Sequence, residues 1–481
     1  MDNSYPLYKR IGLFLGPLLF LLILFCPVCI ISVLAQKVFA VAAWMICWWI
    51  TEAVSISVAA LLPLLLFPLI GIQDIKSVSA FYGSHIVFLF FGGFVMALAL
   101  EKVNLHKRIA LNIIKKTGTS ADRVILGFML STALLSMWIS NTASTIVMLP
   151  IALQVIKLLT EDDDGFSAKD SNFALSIMLG IAFAANIGGT STIIGTPPNV
   201  ILVGILENEY NMQISFLNWM LMGVPFAIIM LFILFAVIVK WIYPSHLSSM
   251  NDTEKTIEEE IAKLGPLDIK EKIVLSVFAV TILLWITRAQ INKLIPGLGL
   301  SDTSISMIGA IAMFVLSHDY KNGDFIIDWD DTSRLPWGIL ILFGGGLALA
   351  GALSDAGIID MIGRGIANAD GISVFLVAVA LITVMLFMTE LMSNVALVAI
   401  FVPVVAGIAL GLDVSILHMC IPVAMASSCA FMLPMATPPN AIVFASGYIK
   451  VYQMARVGFI LNILAICLLL VFTRLIIPLL F

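Results

Sequence analysis

The chain has 481 residues, 61% of them hydrophobic and 11% charged, with a formal net charge of −5 and a mean hydropathy of +1.09. Soluble domains are about 45–50% apolar and about 25% charged, so a soluble globular protein is excluded. The absence of a basic face excludes a nucleic-acid binder as well.

In chain order, Lys9-Arg10 precede an apolar run from Ile11 to Leu34. That run is longer than a signal-peptide core, and residues 1–36 are read as a retained N-terminal transmembrane helix. A span needs about 20 apolar residues. Further apolar runs lie at 37–51, 53–71, 84–116, 124–158, 173–206 and 219–243, then at 270–290, 301–317, 335–368, 372–410, 413–447 and 452–480. Several are too long for one crossing and contain helix breakers at mid-depth. The one long polar stretch, with Asn251-Asp252-Thr253-Glu254-Lys255 and Glu258-Glu259-Glu260, makes residues 244–269 a solvated cytoplasmic linker. The acidic run Glu161-Asp162-Asp163-Asp164 is a second, shorter solvated loop. The cysteines 26, 29, 47, 420, 429 and 467 lie in or beside apolar runs. They read as free thiols, including the Cys26-Pro27-Val28-Cys29 pair, which has no His or acidic neighbour.

The two segments flanking the linker, 37–243 and 270–481, repeat each other. Phe91-Gly92-Gly93 returns as Phe343-Gly344-Gly345 at an offset of 252, and Ser140-Asn141-Thr142-Ala143 as Ser393-Asn394-Val395-Ala396 at 253. Pro150 returns as Pro403, Ser55-Ile56-Ser57 as Ser304-Ile305-Ser306, and Thr196-Pro197-Pro198-Asn199 as Thr437-Pro438-Pro439-Asn440 at an offset of 241. Ordered matches at a nearly constant offset indicate internal duplication. With the N-terminus inside, about 19 of the 25 Lys and Arg fall on the cytoplasmic side, as the positive-inside rule requires. This holds only if 124–158 and 372–410 are re-entrant hairpins. The expectation is an all-α polytopic membrane protein with about 11 crossings and two re-entrant hairpins, in two inverted-topology repeats with broken helices at the site.

Each hairpin tip, 140–142 and 393–395, sets polar groups deep in the membrane, where irregular backbone survives only if it lines a cavity or is buried in protein. At 196–199 and 437–440 the two successive prolines remove backbone donors and force the helix to break. Freed carbonyls with Ser and Asn oxygens suit a monovalent cation such as sodium, and helix N-termini suit a carboxylate or other oxyanion. A single membrane Ser or Thr commonly bonds only its own backbone or a neighbouring helix. Duplication of the whole polar break in both halves favours a site. The glycine runs at 92–93 and 344–346 read as close-packing points, and His85 and His418 as interfacial. Glu390, with Met137 at the matching position of the first half, is either a proton or cation site or the acceptor of an ion pair or hydrogen bond. An intramembrane enzyme would need a nucleophile with a base, or paired acids, and neither surrounds Glu390. No catalytic residue is assigned, and a site closed by two hairpins argues against a passive channel.

The paired Ser-Asn-Thr-type tips and doubled Thr-Pro-Pro-Asn breaks resemble the divalent anion:sodium symporter family over nearly the whole chain. The compact loops favour a bacterial plasma membrane, and the resemblance implies a multi-pass homodimer that moves its site across the bilayer like an elevator. It carries succinate, malate, fumarate or 2-oxoglutarate with sodium as co-substrate and no other cofactor. Sodium-independent dicarboxylate exchange, and sulfate or citrate transport, are the alternatives within the family. By motif position, Ser140, Asn141 and Thr142 hold one substrate carboxylate, Ser393 and Asn394 the other, and Thr196, Pro197, Thr437 and Pro438 close the pocket. One sodium site draws on Ser136, Ser140, Asn141 and the Gly195 carbonyl; the second draws on Thr389, Asn394 and the carbonyls of Met392 and Ala436. Val395 stands where the family has Thr, and one substrate hydrogen bond is absent there.

Overall fold

The structure, a computed structural model, describes residues 5–26, 32–118, 120–160, 168–244, 251–367 and 373–481. Eight helices among them are long and apolar enough to cross a membrane: Leu7–Phe25, Val33–Thr51, Ile75–Lys102, Ser171–Gly189, Phe216–Ile242, Trp337–Asp355, Asn394–Gly411 and Val451–Leu480. Shorter apolar helices run over Ile56–Leu69, Asp302–Val315, Val374–Met388 and Ile416–Ser427. Only one small ribbon, Ser317–Asp319 with Asp324–Phe325, interrupts this all-helical architecture among the described residues. Cys29 and the acidic run 161–164 lie outside the described residues; Cys26, Cys47, Cys420, Cys429 and Cys467 are free.

Two of the long apolar runs are each divided. The first ends as a helix at Lys102, turns at Asn104 with φ +57°, and resumes as Leu105–Thr117. The second ends at Asp355, turns at Gly357 with φ +70°, and resumes as Ile358–Ala367. These left-handed residues stop one helix and re-aim the next. Leu105–Thr117 is amphipathic: it buries Leu105, Ala110, Leu111 and Ile114 and carries Lys107, Arg108, Lys115 and Lys116 on its other face, so it cannot continue a crossing.

Each divided run leads into a hairpin. The first hairpin consists of Ala121–Ser136 and Asn141–Thr160, and the second of Val374–Met388 and Asn394–Gly411. Each hairpin is followed by a broken helix. The first broken helix is Ala168–Gly189 and Pro197–Tyr210, joined through a single 3₁₀ turn at Ile193–Gly195. The second is Ile416–Ser427 and Pro438–Phe444. The returning arm of the first hairpin packs on Pro438–Phe444, and that of the second packs on Pro197–Tyr210. The polar breaks of the two halves are thereby interlocked.

Backbone approaches of this kind need small residues. A Cβ on Gly92 would stand 2.8 Å from the Ser306 backbone, and one on Gly345 would stand 2.3 Å from the Ala60 carbonyl oxygen. The glycine runs are close-packing points, as their composition suggests. The linker is less solvated than its charge implies. It forms the helix Asn251–Lys263, and ion pairs of 2.8 Å join Lys107 to Glu260, Arg108 to Glu271 and Lys115 to Glu258. Arg108 also donates to the carbonyls of Leu264 and Gly265 at 3.0 and 2.9 Å, which satisfies the open end of the linker helix.

Candidate functional site

The hairpin tips are short because a serine ends each turn and starts the returning arm. Ser140 accepts from the amide of Ala143 at 3.1 Å, and Ser393 accepts from that of Ala396 at 3.5 Å. Asn141 and Asn394 thus sit in the first turn of a helix whose unpaired N–H groups face the tip. Ser140 is exposed, while Asn141, Thr142, Ser393, Asn394 and Val395 are half-buried. All six tip residues expected to meet a substrate thus keep some accessible surface. Val395 packs its methyl groups against the apolar core.

Below each tip the same three oxygens meet. The Ser136 hydroxyl oxygen lies 2.6 Å from Asn141 Oδ1 and 2.7 Å from the Ala185 carbonyl. The Thr389 hydroxyl oxygen lies 2.6 Å from Asn394 Oδ1 and 2.7 Å from the Ser427 carbonyl. Ser136 and Thr389 are fully buried. A hydroxyl has one proton to donate, so each cluster holds more lone pairs than its donor can satisfy. Of the residues expected to hold sodium, Ser136 pairs with Asn141 and Thr389 with Asn394. The Ser140 hydroxyl is turned to its own helix end. Gly195 and Ala436 lie in the break loops, Gly195 packing against the Gly189 carbonyl, and Met392 precedes the second cap.

The breaks are held open by asparagine. Asn199 Nδ2 donates to the carbonyls of Gly189 and Thr192 at 3.2 and 2.8 Å. Asn440 Nδ2 donates to those of Ala430 and Leu433, both at 3.1 Å. Each Asn of the Thr-Pro-Pro-Asn motif therefore reaches back across its own break and takes two freed carbonyls. Thr196 and Thr437 are buried before helices that begin with proline, Pro197 is half-buried and Pro438 exposed. Thr437 caps its helix and accepts from Asn186 at 3.1 Å.

Sequence reasoning missed the carbonyls of Ala185 and Ser427, because a backbone atom has no signature in the residue type. It also missed Asn186 and Asn462, whose signal is a lone amide inside an apolar run. Asn186 donates to the second break, reaching Thr437 from the first half of the chain. Glu390 accepts from backbone amides and from Asn462, the hydrogen-bonded alternative of the two open readings.

A profile of the family described as the sodium:sulfate symporter transmembrane region matches residues 8–481. The chain is 39% identical over 492 residues to the sodium-dependent dicarboxylate transporter SdcS of Staphylococcus saprophyticus, covering 99% of this chain and 93% of that protein. It is 39% identical over 468 residues to SdcS of Staphylococcus aureus strain USA300, covering 95% and 89%. Its fold is similar to that of the YdaH transporter of Alcanivorax borkumensis, with TM-score 0.60, 12% identity and 98% of both chains covered. It is also similar to MtrF of Neisseria gonorrhoeae, with TM-score 0.62, 11% identity and 98% and 95% covered.

Proposed function

The chain belongs to the family described as the sodium:sulfate symporter transmembrane region, and we propose that it is a secondary transporter that couples sodium to the uptake of C4 and C5 dicarboxylates. The observation that carries this reading is the twofold oxygen cluster, Ser136–Asn141–Ala185 and Thr389–Asn394–Ser427. Each offers a hydroxyl, an amide oxygen and a backbone carbonyl near the end of a broken helix, the donor set that broken membrane helices present to sodium. Each also lies behind a helix N-terminus that suits a carboxylate. A succinate-like dianion between Ser140-Asn141-Thr142 and Ser393-Asn394 would meet two partial positive ends and two bound cations. Coupling follows, because without the cations no basic side chain of either tip offsets the dianion.

Net movement is an elevator-type displacement of both hairpins and both broken helices against the remaining helices. The protein works as a homodimer in the plasma membrane with a cytoplasmic N-terminus. The interlocked packing of hairpins on breaks supports movement of these four elements as one body. Sodium completing both clusters stabilises the loaded form of that body.

The test is uptake of labelled succinate and 2-oxoglutarate into proteoliposomes, with and without an inward sodium gradient and with and without internal dicarboxylate. Gradient-dependent uptake into empty vesicles is expected. Uptake that ignores sodium and requires internal dicarboxylate would make the protein an exchanger and would withdraw the cation sites. Sodium-driven uptake of sulfate or citrate instead would reassign the substrate and leave those sites in place.

A further inference from the structure

Asn186 lies inside the apolar helix Ala168–Gly189 and is 1% exposed. Its Nδ2 stands 3.3 Å from the Ala430 carbonyl oxygen, 3.1 Å from Thr437 Oγ1 and 3.3 Å from Asn440 Oδ1. A carbonyl can only accept, so the nitrogen end of the amide is the one that faces the second break. Asn186 Oδ1 is buried with no donor among the described residues. An oxygen left so costs free energy, and the three contacts of the nitrogen are the polar side-chain contacts that offset it.

The two halves differ at this place. The carbonyls that complete the two oxygen clusters are those of Ala185 and Ser427, so the residues that follow them, Asn186 and Ser428, correspond. Asn186 spans to the other half's break. Ser428 is shorter by an amide group and does not: its Oγ is buried without a partner among the described residues. Asn199 Oδ1, the counterpart of the Asn440 oxygen that Asn186 reaches, is likewise buried without one. Thr437 receives Asn186 and caps its helix, whereas the Thr196 side chain makes no such cap. One strut therefore runs from the first cluster to the second break, and among the described residues it has no mirror image.

We propose that Asn186 is a positioning residue that carries cation binding at the first cluster to the second break, so that sodium held by Ser136, Asn141 and Ala185 sets how tightly the opposite wall closes on substrate. This rests on the sodium-coupled reading above. Ala185 and Asn186 are consecutive in one helix, so an ion on the Ala185 carbonyl fixes the backbone from which the strut reaches across. At its far end the strut holds Thr437 and Asn440, at the start of Pro438–Phe444. The coupling is reciprocal in free energy: substrate that closes the second break tightens sodium at the first cluster by the same factor.

The test is the succinate KM of uptake into proteoliposomes as a function of sodium, beside the thermal stability of the purified full-length protein in sodium against choline chloride. In the wild type KM should fall as sodium rises. Asn186→Ser installs the residue that the other half carries at this place. It should raise KM at saturating sodium by about threefold to tenfold, the scale of one lost neutral hydrogen bond, with a much smaller change in kcat. The dependence of KM on sodium should flatten, while sodium still raises the thermal midpoint because the first cluster is intact. Asn186→Leu, of similar volume and without a donor, should behave as Asn186→Ser does. A wild-type KM in the leucine variant would mean that the residue only fills space, and overturns the proposal. So does an unchanged KM in Asn186→Ser, or a loss of kcat and of sodium-induced stabilisation along with KM. Amide exchange tests the same coupling with Asn186 in place, should those variants misfold. Sodium without succinate should slow exchange over residues 428–437, and Ser136→Ala should lose part of that protection; full protection in Ser136→Ala overturns the proposal alone. A wild-type protein indifferent to sodium in every assay overturns the sodium-coupled reading and this inference with it.

Discussion

Asn141 and Asn394 each place an amide oxygen in a buried cluster and a backbone N–H at the start of a helix, so in the proposed function one residue serves cation and anion together. The geometry of Asn141 depends on a neighbour that has no side chain. A Cβ built on Gly189 would stand 2.5 Å from Asn141 Oδ1, closer than real contacts allow, and the amide would have to leave Ser136. Gly189→Ala is therefore expected to lower sodium-dependent uptake by at least about tenfold, the scale of one lost hydrogen bond to a charged group. Gly365→Ala, where a Cβ meets nothing within 4 Å, should leave uptake unchanged. Uptake rates normalised to the amount of monodisperse protein check both. Wild-type sodium dependence in Gly189→Ala would mean that Asn141 does not hold the ion.

At the scale of the element, a break inside a membrane helix is stable only if the carbonyls it frees find donors. Asn199 and Asn440 supply two each, and they do so from the fourth position of a motif whose prolines create the break. This much was legible in the sequence: the prolines dictate the interruption, and its duplication makes it a candidate site. The staple itself was not legible, because the motif does not say which way the amide turns. The packing of each hairpin on the other half's break was equally hidden, since it is a relation between distant segments with no local pattern. Nor did hydropathy reveal that the runs 84–116 and 335–368 divide at Asn104 and Gly357, because an amphipathic helix on the membrane face keeps enough apolar residues to extend the run. The staple makes a prediction. Asn440→Ala removes that donor and leaves the Ala430 carbonyl with Asn186 at 3.3 Å and the Leu433 carbonyl with the Ala436 amide at 3.2 Å, at a cost of about 0.5–1.5 kcal/mol. Asn440→Asp keeps the shape and sets a carboxylate against them. The aspartate variant should have the lower thermal midpoint, although it removes no volume. Equal midpoints would mean that Asn440 acts by packing.

For the whole molecule, orientation follows from counting crossings to a cluster of charges. Leu7–Phe25 and Val33–Thr51 run out and back, since Lys9 meets Glu52 at 3.2 Å; Ile56–Leu69 runs out again, since Lys37 donates to the Ile70 carbonyl at 2.6 Å, and His85–Lys102 returns. Lys9 and Lys102 therefore share a face with Lys107, Arg108 and Lys115. All five of these basic residues are paired: Lys9 with Glu52 at 3.2 Å, Lys102 with Asp331 at 2.6 Å, and Lys107, Arg108 and Lys115 with Glu260, Glu271 and Glu258. A net-charge rule would thus find little asymmetry, but orientation is set by Lys and Arg themselves, with acidic residues counting for little. By that rule the paired face is expected to be cytoplasmic, with Cys26, exposed at the far end of the first helix, on the outer side. In a variant with Cys26 as its only cysteine, a membrane-impermeant maleimide should label intact cells. With a cysteine at Glu258 as the only one, labelling should require permeabilisation. The reverse pattern would turn the molecule over, put the first hairpin on the outer side and require the ion-paired face to be translocated, against the bias of its lysines and arginines.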